Sequence, residues 1–327
     1  MNITVAKFGG SSLKDNKSLF IAASAIKQLV KSGKNVVVVV SARGKTTDSL
    51  IKSAEEVCGS DNIPKKELDN LLATGEQMSA ALFAMALNKI SVKSVSLTGE
   101  KAGIITNSEH NNASICEIKT KRIEELLLDG YTVVVAGFQG ADLNGNITTL
   151  GRGGSDTTAA ALSVALNAES CLIYTDVNGI YTADPRKIQS TKKYDSVSFH
   201  EMEEFSRLGA KVLSFGSAEI AAKNKVKMYV LSPSEQDNKT LLCEQTLPRY
   251  SDITGVTIKS TSGESIISAV CADSEKTPYY LNKAVNALQN SGIICFNTSI
   301  SEHSFSIKVA EKVSEESLRI LHSLFFE

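Results

Sequence analysis

No charge of one sign dominates this chain: 35 Lys and Arg stand against 36 Asp and Glu, a net charge of −1. The field that would draw nucleic acid or an anionic membrane surface is missing, so a small molecule is the expected partner. Long apolar runs are missing too. The longest aliphatic run, residues 36–40, is far too short to cross a bilayer. The start, Met1-Asn2-Ile3-Thr4-Val5-Ala6-Lys7, lacks the basic end and apolar stretch of a secretory signal. The six cysteines form no CxxC pair and read as reduced residues of a cytoplasmic protein. Four scattered histidines give no zinc-ligand spacing, and no resident metal site is expected. GxSxG, HExxH and GxGxxG are all lacking, so the hydrolase, zincin and dinucleotide fingerprints are set aside.

What is present is an alternation of aliphatic strands and helical patterns over 327 residues, room for one large domain and one small one. Strands are expected at residues 5–8, 36–40, 92–98, 131–137 and 170–175. Residues 17–32 carry Leu19, Ala22, Ala23, Ile26 and Leu29 at helical spacing, stopped by Gly33. Residues 64–89 form a longer helix, with Leu68, Leu71, Leu72, Met78 and Leu82 on one face. Asn144-Gly145 followed by Ile147-Thr148-Thr149 predicts a hairpin. This order implies an α/β fold, a doubly wound and mainly parallel sheet sandwich. The pattern changes near Ser232-Pro233. Strands near 253–259, 264–271, 293–299 and 304–309, with helices at 279–291 and 314–325, predict a small C-terminal ferredoxin-like α+β unit. The expected domains are 1–233 and 250–327.

Four segments put glycine, hydroxyl and charged residues at predicted strand ends, where open α/β sheets bind ligands. Lys7-Phe8-Gly9-Gly10-Ser11-Ser12 offers a cation for a phosphate and two glycines that let backbone N–H groups approach an anion. A tight strand-to-helix turn with a snorkelling lysine explains it equally. Ser41-Ala42-Arg43-Gly44-Lys45-Thr46-Thr47-Asp48 is not a phosphate-binding P-loop, because Val39 stands where that motif needs glycine. Its hydroxyls suit a carboxylate, or Thr46 or Thr47 caps a helix. Leu150-Gly151-Arg152-Gly153-Gly154-Ser155-Asp156 runs into an alanine-rich helix. Ser155 or Asp156 would cap that helix, but capping does not account for an arginine fork beside two glycines. Tyr174-Thr175-Asp176-Val177-Asn178-Gly179-Ile180-Tyr181-Thr182-Ala183-Asp184-Pro185-Arg186 mixes an aromatic, acids and an arginine, as a nucleotide site or a structured surface loop would. Lysines, an arginine, glycine amides and a few acids suit phosphoryl transfer, which relies on positioning and charge neutralisation.

Taken in this order the segments resemble aspartokinases of the amino-acid kinase superfamily, from Lys7 to about residue 231. The matching strings are KFGGSS (7–12), SARGKTTD (41–48), TGEQMSA (74–80), LTGEKAGIIT (97–106), VVAGFQG (134–140), TTLGRGGSDTTAAAL (148–162), YTDVNGIYTADPR (174–186) and LGAKVL (208–213). The resemblance implies phosphorylation of the L-aspartate β-carboxylate by MgATP, with ATP and Mg2+ as cofactors. It implies catalytic roles for Lys7, Asp156 and Lys211. It assigns aspartate to Ser41, Thr47, Glu76, Arg152, Gly153, Gly154 and Ser155, with Glu76 on the α-ammonium and Arg152 on the α-carboxylate. It assigns the nucleotide to Lys7, Gly9, Gly10, Thr175, Asp176, Tyr181 and Arg186. The product would open the route to lysine, threonine and methionine.

Relatives of this type continue with two ACT domains, one inserted in the other. Residues 252–327 hold strands and helices enough for a single ACT unit, so the inserted domain is expected to be absent and feedback inhibition weak or absent. Ser214-Phe215-Gly216-Ser217 also departs from the basic segment usual after LGAKVL. Two other readings stand beside the first: a non-catalytic amino-acid sensor, and a kinase for another amino acid such as glutamate. A homodimer formed through the ACT unit is expected, with no nucleic-acid or membrane partner.

Overall fold

The computed structural model describes residues 1–210, 212–246, 249–261 and 263–327. They form two compact units: Met1–Asn178 with Glu219–Lys239, and Gly179–Ala218 with Thr240–Glu327.

The first unit is built on strands that are apolar on both faces, as strands buried between helical layers must be. In chain order it contains β1 (Ile3–Phe8), α1 (Asn16–Lys31), β2 (Asn35–Val40), α2 (Thr46–Cys58), α3 (Lys65–Lys89), β3 (Ser94–Leu97), β4 (Ile104–Thr106), β5 (Ile115–Ile118), α4 (Lys121–Leu128), β6 (Thr132–Ala136), β7 (Gln139–Ala141), β8 (Ile147–Thr149), α5 (Gly154–Ala165) and β9 (Ser170–Tyr174). After the excursion into the second unit come most of α7 (Phe215–Asn224), then β11 (Met228–Ser232) and the first part of β12 (Glu235–Cys243). The intervening β10 (Ser196–Ser198) and α6 (Phe199–Arg207) belong to the second unit. Strands β11, β9, β1, β2, β6 and β3 lie side by side in that order, every neighbouring pair parallel. Side chains alternate across such strands. Ala6, Phe8, Val38, Val40, Val134 and Ala136 therefore share one core with Ala22, Ala23 and Ile26 of α1 and Phe83 and Leu87 of α3. Helix α5 packs against β1 and β9. A second, small sheet runs β5-β4-β7-β8. Its β7–β8 hairpin turns at Gly145, whose φ of +79° suits glycine, as the Asn-Gly pair predicted.

Two details depart from the sequence reading. Met78 of α3, which the spacing places on one face with the leucines, is 44% exposed, whereas Glu76 is 4% exposed and Asp69 fully buried. The helix turns acids inward where leucine spacing alone pointed to another stripe. The reading offered α2 only as a capped helix without bounds and passed over α4, β4 and β5. The two strands are only three and four residues long, and β5 buries none of its side chains.

In the second unit, β13 (Ile253–Thr261), β14 (Glu264–Cys271), α8 (Thr277–Asn290), β15 (Asn297–Ser301), β16 (Ser304–Ala310) and α9 (Ser314–Phe326) follow the expected strand-strand-helix-strand-strand-helix order. The sheet is antiparallel in the order β13-β14-β16-β15. That is the ferredoxin-like arrangement, with β13 in the place a closing strand would take. The third strand starts at Asn297, later than expected, leaving Ile294 and Phe296 exposed before it. Ala183 and Ile188 join the core of this unit. The Val256 N–H donates to the Thr182 carbonyl at 2.8 Å, and Lys192 Nζ donates to the Phe326 carbonyl at 2.6 Å. These contacts explain why residues 179–218 group with the C-terminal sheet and not with the strands that precede them. β10 pairs in parallel with the far part of β12. Among the described residues no helix is long and apolar enough to cross a membrane.

Candidate active site

The parallel strands of the first unit all point their C-terminal ends one way, and the chemistry-bearing loops leave from those ends. Lys7 is the penultimate residue of β1, in register with Val39 of β2 and Ile173 of β9. Ser41 follows β2 directly, Gly137 follows β6, and Thr175 follows β9.

The first two loops interlock. The Gly44 N–H donates to the Gly10 carbonyl at 3.0 Å, and Arg43 Nε donates to the Leu13 carbonyl at 2.7 Å. A Cβ on Gly10 would lie 2.6 Å from the Ala42 carbonyl oxygen, so a side chain there would push the loop away. Arg43 is thus spent on the loop itself. Neither Thr46 nor Thr47 caps α2: Lys45 is the cap residue, and the Thr46 hydroxyl donates back to the Arg43 carbonyl at 2.7 Å.

The third loop supplies the start of α5. Its cap residue is Gly153 at φ +78°, with no side-chain cap bond. Ser155 and Asp156 sit inside the first turn, so the capping explanation for them falls. A carboxylate there is favoured by the helix dipole. Asp156 Oδ1 lies 2.5 Å from Lys7 Nζ in an ion pair, both side chains about nine-tenths covered. Gly154 is tightly enclosed, its would-be Cβ 2.8 Å from Leu150 Cβ and 2.9 Å from the Phe138 ring.

Glu76, on the buried face of α3, accepts the Ala42 N–H at 2.8 Å through Oε1, while Oε2 has no partner among the described residues. Burial pushes its carboxyl up to about 7, against the downward pull of the Ala42 N–H. An acid with one oxygen saturated and the other bare, in a cavity, is prepared for a cation.

One cavity of about 390 Å³ gathers these groups. Lys7, Ser41, Thr47, Glu76, Arg152, Gly153, Gly154, Ser155 and Asp156 all line it. Every residue the sequence assigned to aspartate, and two of the three assigned to catalysis, meet here from segments up to 149 positions apart (7 to 156). Lys211, the third, lies outside the described residues. Gly9 and Gly10 are beside the cavity and not on its wall; a Cβ on Gly9 would approach Lys7 Nζ to 3.5 Å. The nucleotide residues divide between the units. Thr175 and Asp176 follow β9 in the first, where the Thr175 hydroxyl donates to Asp176 Oδ1 at 3.1 Å. Tyr181 and Arg186 belong to the second, where Arg186 makes a two-pronged contact with Asp184 at 2.9 and 2.8 Å. That pair holds the Asp184 carboxyl below its usual range. The sequence reading missed Asn111 and Thr149, which also line the cavity, and Asp69 behind them. Only the burial of an acid inside α3 would have signalled them.

Residues 2–232 match the family model described as Amino acid kinase family. An aspartokinase of Geobacillus stearothermophilus is 41% identical over 332 aligned residues, covering 99% of this chain and 80% of that protein. Such an alignment of a 327-residue chain leaves no room within it for a domain-sized gap. An aspartokinase of Bacillus sp. (strain MGA3) is 47% identical over 245 residues, 75% of this chain and 59% of its own length, so the match spans less than two thirds of that relative. Among solved structures, E. coli aspartokinase III in complex with aspartate and ADP superposes with a TM-score of 0.71 at 26% identity, over 99% of this chain and 84% of that one.

Proposed function

Because the chain belongs to the amino acid kinase family, and within it to the aspartokinases, we propose that it transfers the γ-phosphoryl group of MgATP to the β-carboxylate of L-aspartate. The observation that carries this reading is the single cavity in which Lys7, Asp156, Glu76 and Arg152 converge. The bare oxygen of Glu76 takes the α-ammonium. Arg152 takes the α-carboxylate, and Ser41, Thr47, Gly153, Gly154 and Ser155 complete the wall. The β-carboxylate is ionised near neutrality, so it attacks without a general base. A bond forms between a carboxylate oxygen and the γ-phosphorus, the bridge to the β-phosphate breaks, and ADP and 4-phospho-L-aspartate result. Lys7 lies where it meets the transferred group, and Asp156 aims it. Lys211 is proposed as the second lysine. Gly9, Gly10, Thr175, Asp176, Tyr181 and Arg186 are proposed as nucleotide contacts. Magnesium takes phosphate oxygens, water and one or two carboxylates, and enters with ATP as part of that substrate.

We assign residues 1–233 to catalysis and 250–327 to an ACT-like unit that pairs two copies of the chain, in a cytoplasmic enzyme at the head of the lysine, threonine and methionine routes. Feedback inhibition by lysine or threonine is proposed to be weak or absent. A coupled ADP-release assay offered aspartate, glutamate and acetylglutamate tests the reading. Turnover is expected with aspartate; turnover with another of the three in its place would overturn it. In the same assay the rate should survive saturating lysine and threonine, and a tenfold fall would refute the regulatory part.

A further inference from the structure

Seven residues before Glu76, two turns of the same helix and about 10 Å along it, α3 presents a second inward acid. Asp69 is fully buried, yet it is not on the cavity wall. Glu76 keeps an oxygen bare, whereas Asp69 is saturated. Its Oδ1 accepts from the Thr149 hydroxyl at 2.5 Å and from Asn111 Nδ2 at 2.6 Å. Its Oδ2 accepts from His110 Nδ1 at 2.6 Å, and the Asn111 backbone N–H is shared between both oxygens at 3.1 and 3.2 Å. These donors come from two segments far apart in sequence. Asn111 stands at φ +68°, a left-handed conformation that asparagine reaches more readily than most side chains. Thr149 ends β8, two residues before Gly151.

Those two segments also touch each other. The Ala113 N–H donates to the Thr149 carbonyl at 2.8 Å, and a Cβ on Gly151 would fall 3.0 Å from Asn112 Oδ1 and 3.3 Å from the Asn111 carbonyl. Gly151 is the residue before Arg152. A buried carboxylate is costly unless paired, and here the pairing ties helix α3 to the strand end that carries the arginine.

We propose that Asp69 is a positioning residue for the substrate: it fixes the span between Glu76 and Arg152, and so the length of amino acid held between them. The proposal rests on the assignment of aspartate to the cavity. Hydrogen bonds from four donors to one rigid carboxylate hold Thr149 and Asn111 against α3, and the backbone from Thr149 to Arg152 follows. Loss of the clamp should loosen the grip on the amino acid while leaving the nucleotide unaffected.

The test compares the wild-type protein with Asp69→Asn and, in case that variant folds poorly, Thr149→Val, which removes one donor. Two measurements are made: amide hydrogen exchange, and steady-state kinetics with both substrates varied. In the variants, exchange at Asn111 and Ala113 should rise at least tenfold while β2 and β6 stay protected. The KM for aspartate should rise at least tenfold and that for ATP by less than twofold. Unchanged exchange at Asn111 and Ala113 overturns the clamp whatever the substrate proves to be. Increased exchange with equal rises in both KM values, or in neither, overturns its role toward the substrate. A wild type that turns over no aspartate shows instead that the functional reading is wrong, and the substrate half of this proposal falls with it.

Discussion

Glu76 concentrates the chemistry of this site in one side chain. Its carboxyl sits at about 7 in the folded protein against an ordinary value of 4.5, because burial disfavours the charge. Between those values the folded chain holds a proton that the unfolded chain releases. The stability penalty is therefore absent below 4.5, grows as pH rises, and levels off above 7 at about 3 kcal/mol. A bound ammonium would repay it. Two outcomes follow from one pair of proteins. Without aspartate, Glu76→Gln should raise the unfolding midpoint at pH 8 more than at pH 5, since the glutamine never carries the charge. Aspartate should stabilise the wild type more at pH 8 than at pH 6 and should leave the variant unmoved. Thermal unfolding with and without aspartate at these pH values decides it. Equal stabilisation of the two proteins by aspartate would remove Glu76 from the ammonium site.

At the scale of elements, the site is a set of strand ends held in register, and the loops between them are braced by close backbone contact. Gly10 shows how little slack exists. Its missing Cβ leaves room for the Ala42 carbonyl, and the Ala42 N–H is the group that holds Glu76. Gly10→Ala must displace the loop that follows β2. The expected cost is about 1–3 kcal/mol in stability, the range for overpacking, with at least a tenfold loss in kcat/KM for aspartate. Chemical denaturation and kinetics on the same preparation check both; full activity would mean that the two loops move independently. The same elements show what the sequence made legible. Apolar strands, the helix read over residues 17–32 and the glycine-hydroxyl strings could be read because each is local: periodicity and turn chemistry lie within a short stretch of chain. Asp69, Asn111 and Thr149 could not. They are separated by 42 and 38 positions, and each alone resembles a solvated polar residue. The inward acids of α3 stayed hidden for a related reason: leucine spacing records where apolar residues are, whereas this helix also buries Asp69 and Glu76. Arg186 was read as a charge for a nucleotide or as part of a structured loop, and its pairing with Asp184, two residues earlier, is a contact the sequence reading did not name.

At the scale of the whole molecule, the question is what the C-terminal sheet leaves open. β15 is an edge strand, and all five of its residues are exposed. Its sequence, Asn-Thr-Ser-Ile-Ser, carries none of the lysines, prolines or inward charges by which edges are usually protected from pairing. Ile294, Phe296 and Ile300, each at least half exposed, add apolar surface along it. A second copy of the chain would satisfy both needs. An antiparallel pairing of β15 with its symmetry mate would be isologous, so one two-fold axis would cover this edge in both copies, with β13 left at the outer edges. Ile300 lies within the strand and outside the catalytic cavity, so its replacement tests the edge without touching the chemistry. Sedimentation at micromolar concentration is expected to show a dimer for the wild type and a monomer for Ile300→Lys, with the unfolding transition of the variant otherwise preserved. A wild-type monomer, or a variant that remains dimeric, would rule out this edge as the interface.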